Sequence, residues 1–156
     1  MAGQRINIRQ KGANGEREVA TWMNEIVERV CIEEGVPVPV KPIIQRNQNQ
    51  SAVGGSDLTN PFGYAIEVKR QETLSVNTWW NQSCVAAKEF GGTPVVIYRQ
   101  NGKRSWHVVM YTFVPVWGSE GYIQARAEIS QEDFMKHFEA TVRFYIRSDK
   151  WRPEAG

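Results

Sequence analysis

The sequence predicts a single α/β domain: a mixed five-stranded sheet with helices on its faces. Three observations carry that expectation. From Glu16 to Glu34 the apolar residues Val19, Trp22, Met23, Ile26, Val27 and Val30 recur at helical spacing. "YAIEVKR" alternates like a strand, sending Glu67 and Lys69 to one face and Ile66 and Val68 to the other. A helix-like segment then separates it from the short apolar run "TPVVIYR", the pattern of a crossover between parallel strands. At 156 residues the chain has the length of one domain.

The elements follow in order. Asn14 is the expected cap of the first helix, and Gly35 followed by Pro37 ends it. "VPVPVKPIIQR" is studded with proline and β-branched residues, which suits an extended entry into an edge strand ending near Arg46. "NQNQSAVGGS" is polar and aperiodic, hence a loop. A second strand carries Asp57 and Leu58, "TNPFG" turns the chain, and "YAIEVKR" returns as the third. "SVNTWWNQSCVAAKEFGG" opens on capping residues and closes on paired glycines, with Trp80, Cys84 and Ala87 on one helical stripe. "TPVVIYR" and "SWHVVMYTFV" are the last two strands, joined by a turn on Asn101-Gly102. Beyond Val116 the pattern weakens. There the expectation is an extension, residues 115–156, containing one helix capped at Ser130, after a core of residues 9–114.

Composition narrows the function. Apolar residues make up 41% and charged residues 23%, a globular balance. No apolar run approaches the ~18 residues that cross a bilayer, and the basic N-terminus lacks the apolar stretch of a signal peptide, so the expected location is the cytoplasm. Cys31 and Cys84 are expected as free thiols, and with His107 and His137 they lack the spacing of a zinc site. Net charge is only +2, but its distribution is uneven. Arg5, Arg9, Lys11 and Arg17 crowd one end and Arg143, Arg147, Lys150 and Arg152 the other, with Glu25, Glu28, Glu33 and Glu34 between. Basic ends around an acidic middle suit a protein that meets phosphates on one side; scattered solvated charge is the plainer alternative.

The chemistry concentrates in "SDLTNPFGYAIEVKR". Asp57 and Glu67 meet if the hairpin between them bends. Converging carboxylates raise each other's pKa unless a cation lies between them. All-oxygen ligands suit Mg²⁺, which grips a phosphate and lowers the pKa of a bound water. Lys69, on the same face as Glu67, then orients the attacking water or offsets charge on the phosphorane. The expectation is metal-assisted phosphodiester hydrolysis. A solvated strand face with an ordinary Glu-Lys pair is the bland alternative, because Glu-x-Lys alone is common.

Asp-(x)9-Glu-x-Lys on a hairpin, after a helix and before a helix-strand unit, resembles the PD-(D/E)xK nuclease superfamily. Within it, "KGANGEREVA", "IEVKR" and "FGGTPVVIYR" are similar in order and spacing to the archaeal-type Holliday junction resolvases, over roughly residues 9 to 112. That resemblance implies a restriction endonuclease-like core. It assigns Glu16 to the metal shell with Asp57, Glu67 and Val68, makes Lys69 the catalytic lysine, and makes Mg²⁺ the cofactor with Mn²⁺ as a substitute. It further implies DNA contacts from Arg9, Lys11, Arg17, Arg46, Ser51, Ser56, Arg70 and Gln82. Ser56 stands where the superfamily has proline, and the loop from Asn47 to Ser56 is longer than expected, which bears on Arg46 and Ser51.

The function so implied is resolution of four-way junctions by a homodimer, whose paired nicks leave 5′-phosphates and 3′-hydroxyls. Two-fold symmetry in the junction asks for two active sites on a C₂ dimer. No membrane and no small-molecule cofactor enter this expectation. Two rivals stay open: another repair, recombination or restriction-type nuclease on the same scaffold, and a branched-DNA binder without catalysis. Trp79 and Trp80 are open between core, stacking on bases and a dimer seam, and His107 and His137 are expected to be structural.

Overall fold

The computed structural model describes residues 8–48 and 55–154, with side chains from Gly12 onward. Among these residues are three helices, α1 (Ile8–Glu33), α2 (Val76–Phe90) and α3 (Gln131–Arg147). The strands are β1 (Gln45–Arg46), β2 (Leu58–Thr59), β3 (Tyr64–Gln71), β4 (Thr93–Gln100), β5 (His107–Pro115) and β6 (Tyr122–Ser130). They form one open sheet in the order β1-β2-β3-β4-β5-β6. Only β3 and β4, joined through α2, run parallel. No helix among the described residues is long and apolar enough to cross a membrane.

The sheet has six strands, not five, and β6 is the addition. "YIQARAEIS" does alternate, with Ile123, Ala125, Ala127 and Ile129 on one face, but two of those four are alanines, which dilute the apolar signal. It pairs along its whole length with β5, from His107↔Ser130 to Pro115↔Tyr122. α1 also begins earlier than Asn14 suggested. Asn14 lies inside the helix and accepts a hydrogen bond from Arg17 at 3.2 Å instead of capping it. The C-terminal signal was sound: Gly35 has φ +69°, and Val36 N–H returns to Cys31 C=O at 3.0 Å.

Burial makes three layers. α1 and α3 cover one face of the sheet, where Val19, Met23, Val27 and Val30 meet Ile66, Val68, Val95 and Ile97. Phe134, Phe138, Val142 and Ile146, one helical turn apart, bring α3 into this same core. Residues beyond 114 therefore supply part of the main core. Ser130 caps α3 as expected, its hydroxyl accepting from Asp133 N–H at 3.0 Å. On the opposite face, Trp79 and Trp80 of α2 pack with Val96, Tyr98 and Val109. Both tryptophans are core, which answers that open question. Ser83 fixes α2 to the sheet, donating to Ala65 C=O at 2.7 Å and accepting from Val95 N–H at 2.9 Å. Both cysteines are free thiols.

Two polar clamps position the strands nearest the site. Asn24 of α1 acts as a strand partner, giving Nδ2 to Ile44 C=O and taking Ile44 N–H, at 2.9 and 2.8 Å. That pair brings Arg46 up beside α1. Asn60 closes the β2–β3 turn, its Oδ1 accepting from Phe62 and Tyr64 N–H, while Gly63 supplies the φ of +83°.

Candidate active site

β2 pairs with β3 only at Leu58↔Ile66. One residue earlier, Asp57 N–H still donates to Ile66 C=O at 2.8 Å, and then the Asp57 side chain takes over: its Oδ2 accepts Val68 N–H at 2.8 Å. The carboxylate thus stands in for a strand and is held against β3. Alternate residues of a strand turn their N–H and C=O to the same edge, so the Val68 carbonyl faces the edge where Asp57 lies. Glu67 and Lys69 share the face of β3 that carries Ala65, which packs with Ala86 and Ala87 of α2.

Asp57 and Glu67 are both buried, at 8% and 6% exposure. Burial, first, and then the charge of Asp57 and a hydrogen bond to it push the Glu67 carboxyl up to about 8; Lys69 pulls the other way. Lys69 Nζ lies 3.9 Å from Glu67 Oε2. Glu16 reaches the same neighbourhood from α1, and burial raises its pKa against the opposing hydrogen bond from Arg46. Arg46 Nε donates to Glu16 Oε2 at 2.8 Å. The structure therefore brings Asp57, Glu67 and Lys69 together, with Glu16 in electrostatic range but engaged with Arg46. No cluster of three or more acidic, histidine or cysteine side chains is arranged to hold a metal among the described residues.

The donor set fits a hard cation at the carboxylate pair. Two buried carboxyls, of which Glu67 keeps its proton through burial first and the Asp57 charge second, form a site with one positive charge too few. Asp57, Glu67 and the Val68 carbonyl would be its protein ligands. A pH dependence follows. Glu67 ordinarily titrates at 4.5, and in the fold at about 8, so the native state holds a proton that the unfolded chain releases. This contribution to stability is complete below pH 4.5 and is lost as pH rises through 8. In chelator, the melting temperature of the wild type minus that of Glu67→Gln should fall across this window. The loss is on the order of a few kcal/mol, at about 2–4 °C each. A pH-independent difference would show that Glu67 ionises normally.

The other candidates divide. Arg17 is exposed on α1, and Arg70 follows Lys69 on β3 with a buried Nε that has no hydrogen-bond partner among the described residues. Ser56 is half-buried and donates to Leu58 C=O at 3.4 Å. Gln82 is exposed, outside the buried stripe of α2. The side chains of Arg9 and Lys11, and Ser51 entirely, lie outside the described residues. The basic C-terminal end is largely committed elsewhere: Arg143 pairs with Glu34 and Glu139, Arg147 with Glu34, and Arg152 with Asp149. Those ion pairs tie α3 to α1 and to its own tail. His107 stacks on Tyr98, and His137 meets the Tyr64 hydroxyl at 3.0 Å, both in structural roles.

Sequence reasoning passed over Lys103 and Arg104. They stand exposed in the β4–β5 turn, and Asn101 N–H of that turn is tied to Gln71 C=O at 3.0 Å. β3 and β4 are parallel, so the turn sits at the end of the sheet to which Lys69 and Arg70 lead. The signal was present in "QNGKR", a basic pair beside a tight turn.

A helix-covered mixed sheet that holds an aspartate against the edge of a Glu-x-Lys strand defines a nuclease of the PD-(D/E)xK superfamily, and the architecture is consistent with the restriction endonuclease-like fold. The profile of the family described as "Phage putative PDDEXK endonuclease" matches residues 7–147. The chain belongs to that family. The match supports the superfamily and not the narrower archaeal-type junction-resolvase group. No curated protein and no solved structure matches the chain.

Proposed function

We propose that this protein is a Mg²⁺-dependent, structure-specific DNA endonuclease that resolves four-way junctions as a cytoplasmic homodimer, with Mn²⁺ able to replace Mg²⁺. The observation that carries the hydrolytic reading is the buried Asp57–Glu67 pair with Lys69 3.9 Å from Glu67. When bound, the cation supplies Lewis-acid activation of the scissile phosphate and of a water. Asp57 is oriented in advance by the Val68 N–H, so it needs no reorganisation to serve as a ligand. Glu67 gives up its proton as it becomes one. Lys69 directs its ammonium toward the same point, where it orients the nucleophile and offsets developing negative charge. Arg17, Arg46, Arg70, Lys103 and Arg104 position the flanking phosphates, which fix register without reading bases.

The preference for junctions rests on the resemblance of "KGANGEREVA" and "IEVKR" to junction resolvases and on the two-fold symmetry argument. It is tested with labelled four-way junction, flap and linear duplex, each with and without Mg²⁺. Paired nicks near the branch point of the junction, with little cutting of duplex, are expected. Equal cutting of all three would make it a general nuclease of the same family. Junction binding without cutting in Mg²⁺ or Mn²⁺ would make it a non-catalytic binder.

A further inference from the structure

Only the first part of β5 is covered on both edges. His107 to Met110 pair with β4, whereas from Tyr111 onward β5 has β6 as its sole partner among the described residues. Residues 111–126 therefore form a two-stranded ribbon standing beyond the rest of the sheet. Such a ribbon is marginal in water by itself. It is anchored at its base, where Tyr111 meets Trp80 edge-on at 5.0 Å and Arg126 donates to Asn77 at 3.0 Å.

Beyond that base the ribbon is apolar and open. Trp117 at the tip is 97% exposed, Phe113 71% and Tyr122 65%, and Val114, Val116 and Ile123 are exposed as well. With aromatic side chains at about 150–250 Å² each, the aromatics of the ribbon alone present on the order of 500 Å². That lies in the range of roughly 300–600 Å² of the largest patch on a typical monomer, a patch that is often functional. Its charge disfavours one class of partner. Between Thr112 and Ala125 there is no lysine or arginine and one acid, Glu120, so the surface offers nothing to a phosphate backbone.

We infer that the β5–β6 ribbon is a dimerisation arm that packs against a second copy of this chain. Phe113 and Tyr122 share one face of the ribbon, with Trp117 at its tip, while Val114 and Ile123 lie on the other face; the aromatic face, at roughly 500 Å² on each of two partners, reaches the ~1,000 Å² total that a specific interface should clear. An isologous contact uses one patch on both sides, and a nearly uncharged patch meets itself without like-charge repulsion. This deepens the homodimer reading above and rests on it.

The test is sedimentation equilibrium of the full chain without DNA, alongside Trp117→Ser and Phe113→Ser. Both residues stand in solvent in the single chain, so melting curves taken at concentrations where wild type and variants are all monomeric should be unchanged. The wild type should give twice 17.8 kDa at micromolar concentration, and each substitution should weaken self-association at least tenfold. Val85→Ser, at an exposed position on α2, should leave the dimer intact. A wild-type monomer up to 100-fold higher concentration would overturn the inference, and so would a dimer indifferent to both ribbon substitutions. Lost junction binding at unchanged mass would do the same, reassigning the ribbon to nucleic acid. The junction-cleavage assay fails or succeeds independently: a ribbon-mediated dimer that cuts no junction keeps this surface and discards the substrate.

Discussion

Asp57→Asn is expected to reduce cleavage by roughly 10³-fold or more while the protein stays folded and binds DNA nearly as before. The amide is nearly isosteric, and its oxygen can still accept the Val68 N–H that Asp57 Oδ2 accepts at 2.8 Å. What disappears is a negative charge next to Glu67. Because that charge raises the Glu67 pKa, the variant's Glu67 should titrate closer to its ordinary 4.5, and metal-free stability should depend less on pH. Asp57→Ala differs: it strands a buried N–H at an added cost of about 1–3 kcal/mol. Cleavage rate, metal titration by calorimetry and thermal melts together separate the two variants. Near-normal turnover of Asp57→Asn would remove Asp57 from the site.

Lys69→Ala is expected to slow cleavage by roughly 10²–10³-fold with DNA affinity little changed, since the ammonium acts most strongly on charge that develops in the transition state. A second effect has to be separated from this one. Lys69 holds the Glu67 pKa down, so its removal strengthens the proton's competition with a cation for Glu67. That part of the defect should recover at saturating Mg²⁺ and as pH rises past the variant's Glu67 pKa, which without Lys69 lies above the wild type's value of about 8; the transition-state part should not. Rates across pH 6.5 to 9.5 at saturating Mg²⁺ distinguish them. Complete recovery at high pH would mean that Lys69 only tunes Glu67.

The sequence by itself determined the three helices and the longer strands β3, β4 and β5, because their signals are local. Glycines at 35, 63, 91 and 102 take the positive φ angles that end helices and close turns, and each was legible as a breaker. Alternation in "YAIEVKR" was enough to put Glu67 and Lys69 on one face. β6 escaped because alanines at 125 and 127 dilute its period-2 pattern, and a strand of that kind is stabilised by its partner more than by its own residues. The closeness of Asp57 and Glu67 was a conditional reading from the hairpin. Only the tertiary structure decided it, through the Asp57–Val68 hydrogen bond and the burial that drives the Glu67 proton upward. The same holds for charge. A basic C-terminus reads alike whether its arginines face DNA or the acids of α1, since pairing across 110 residues, as between Arg143 and Glu33, depends on how α3 packs on α1.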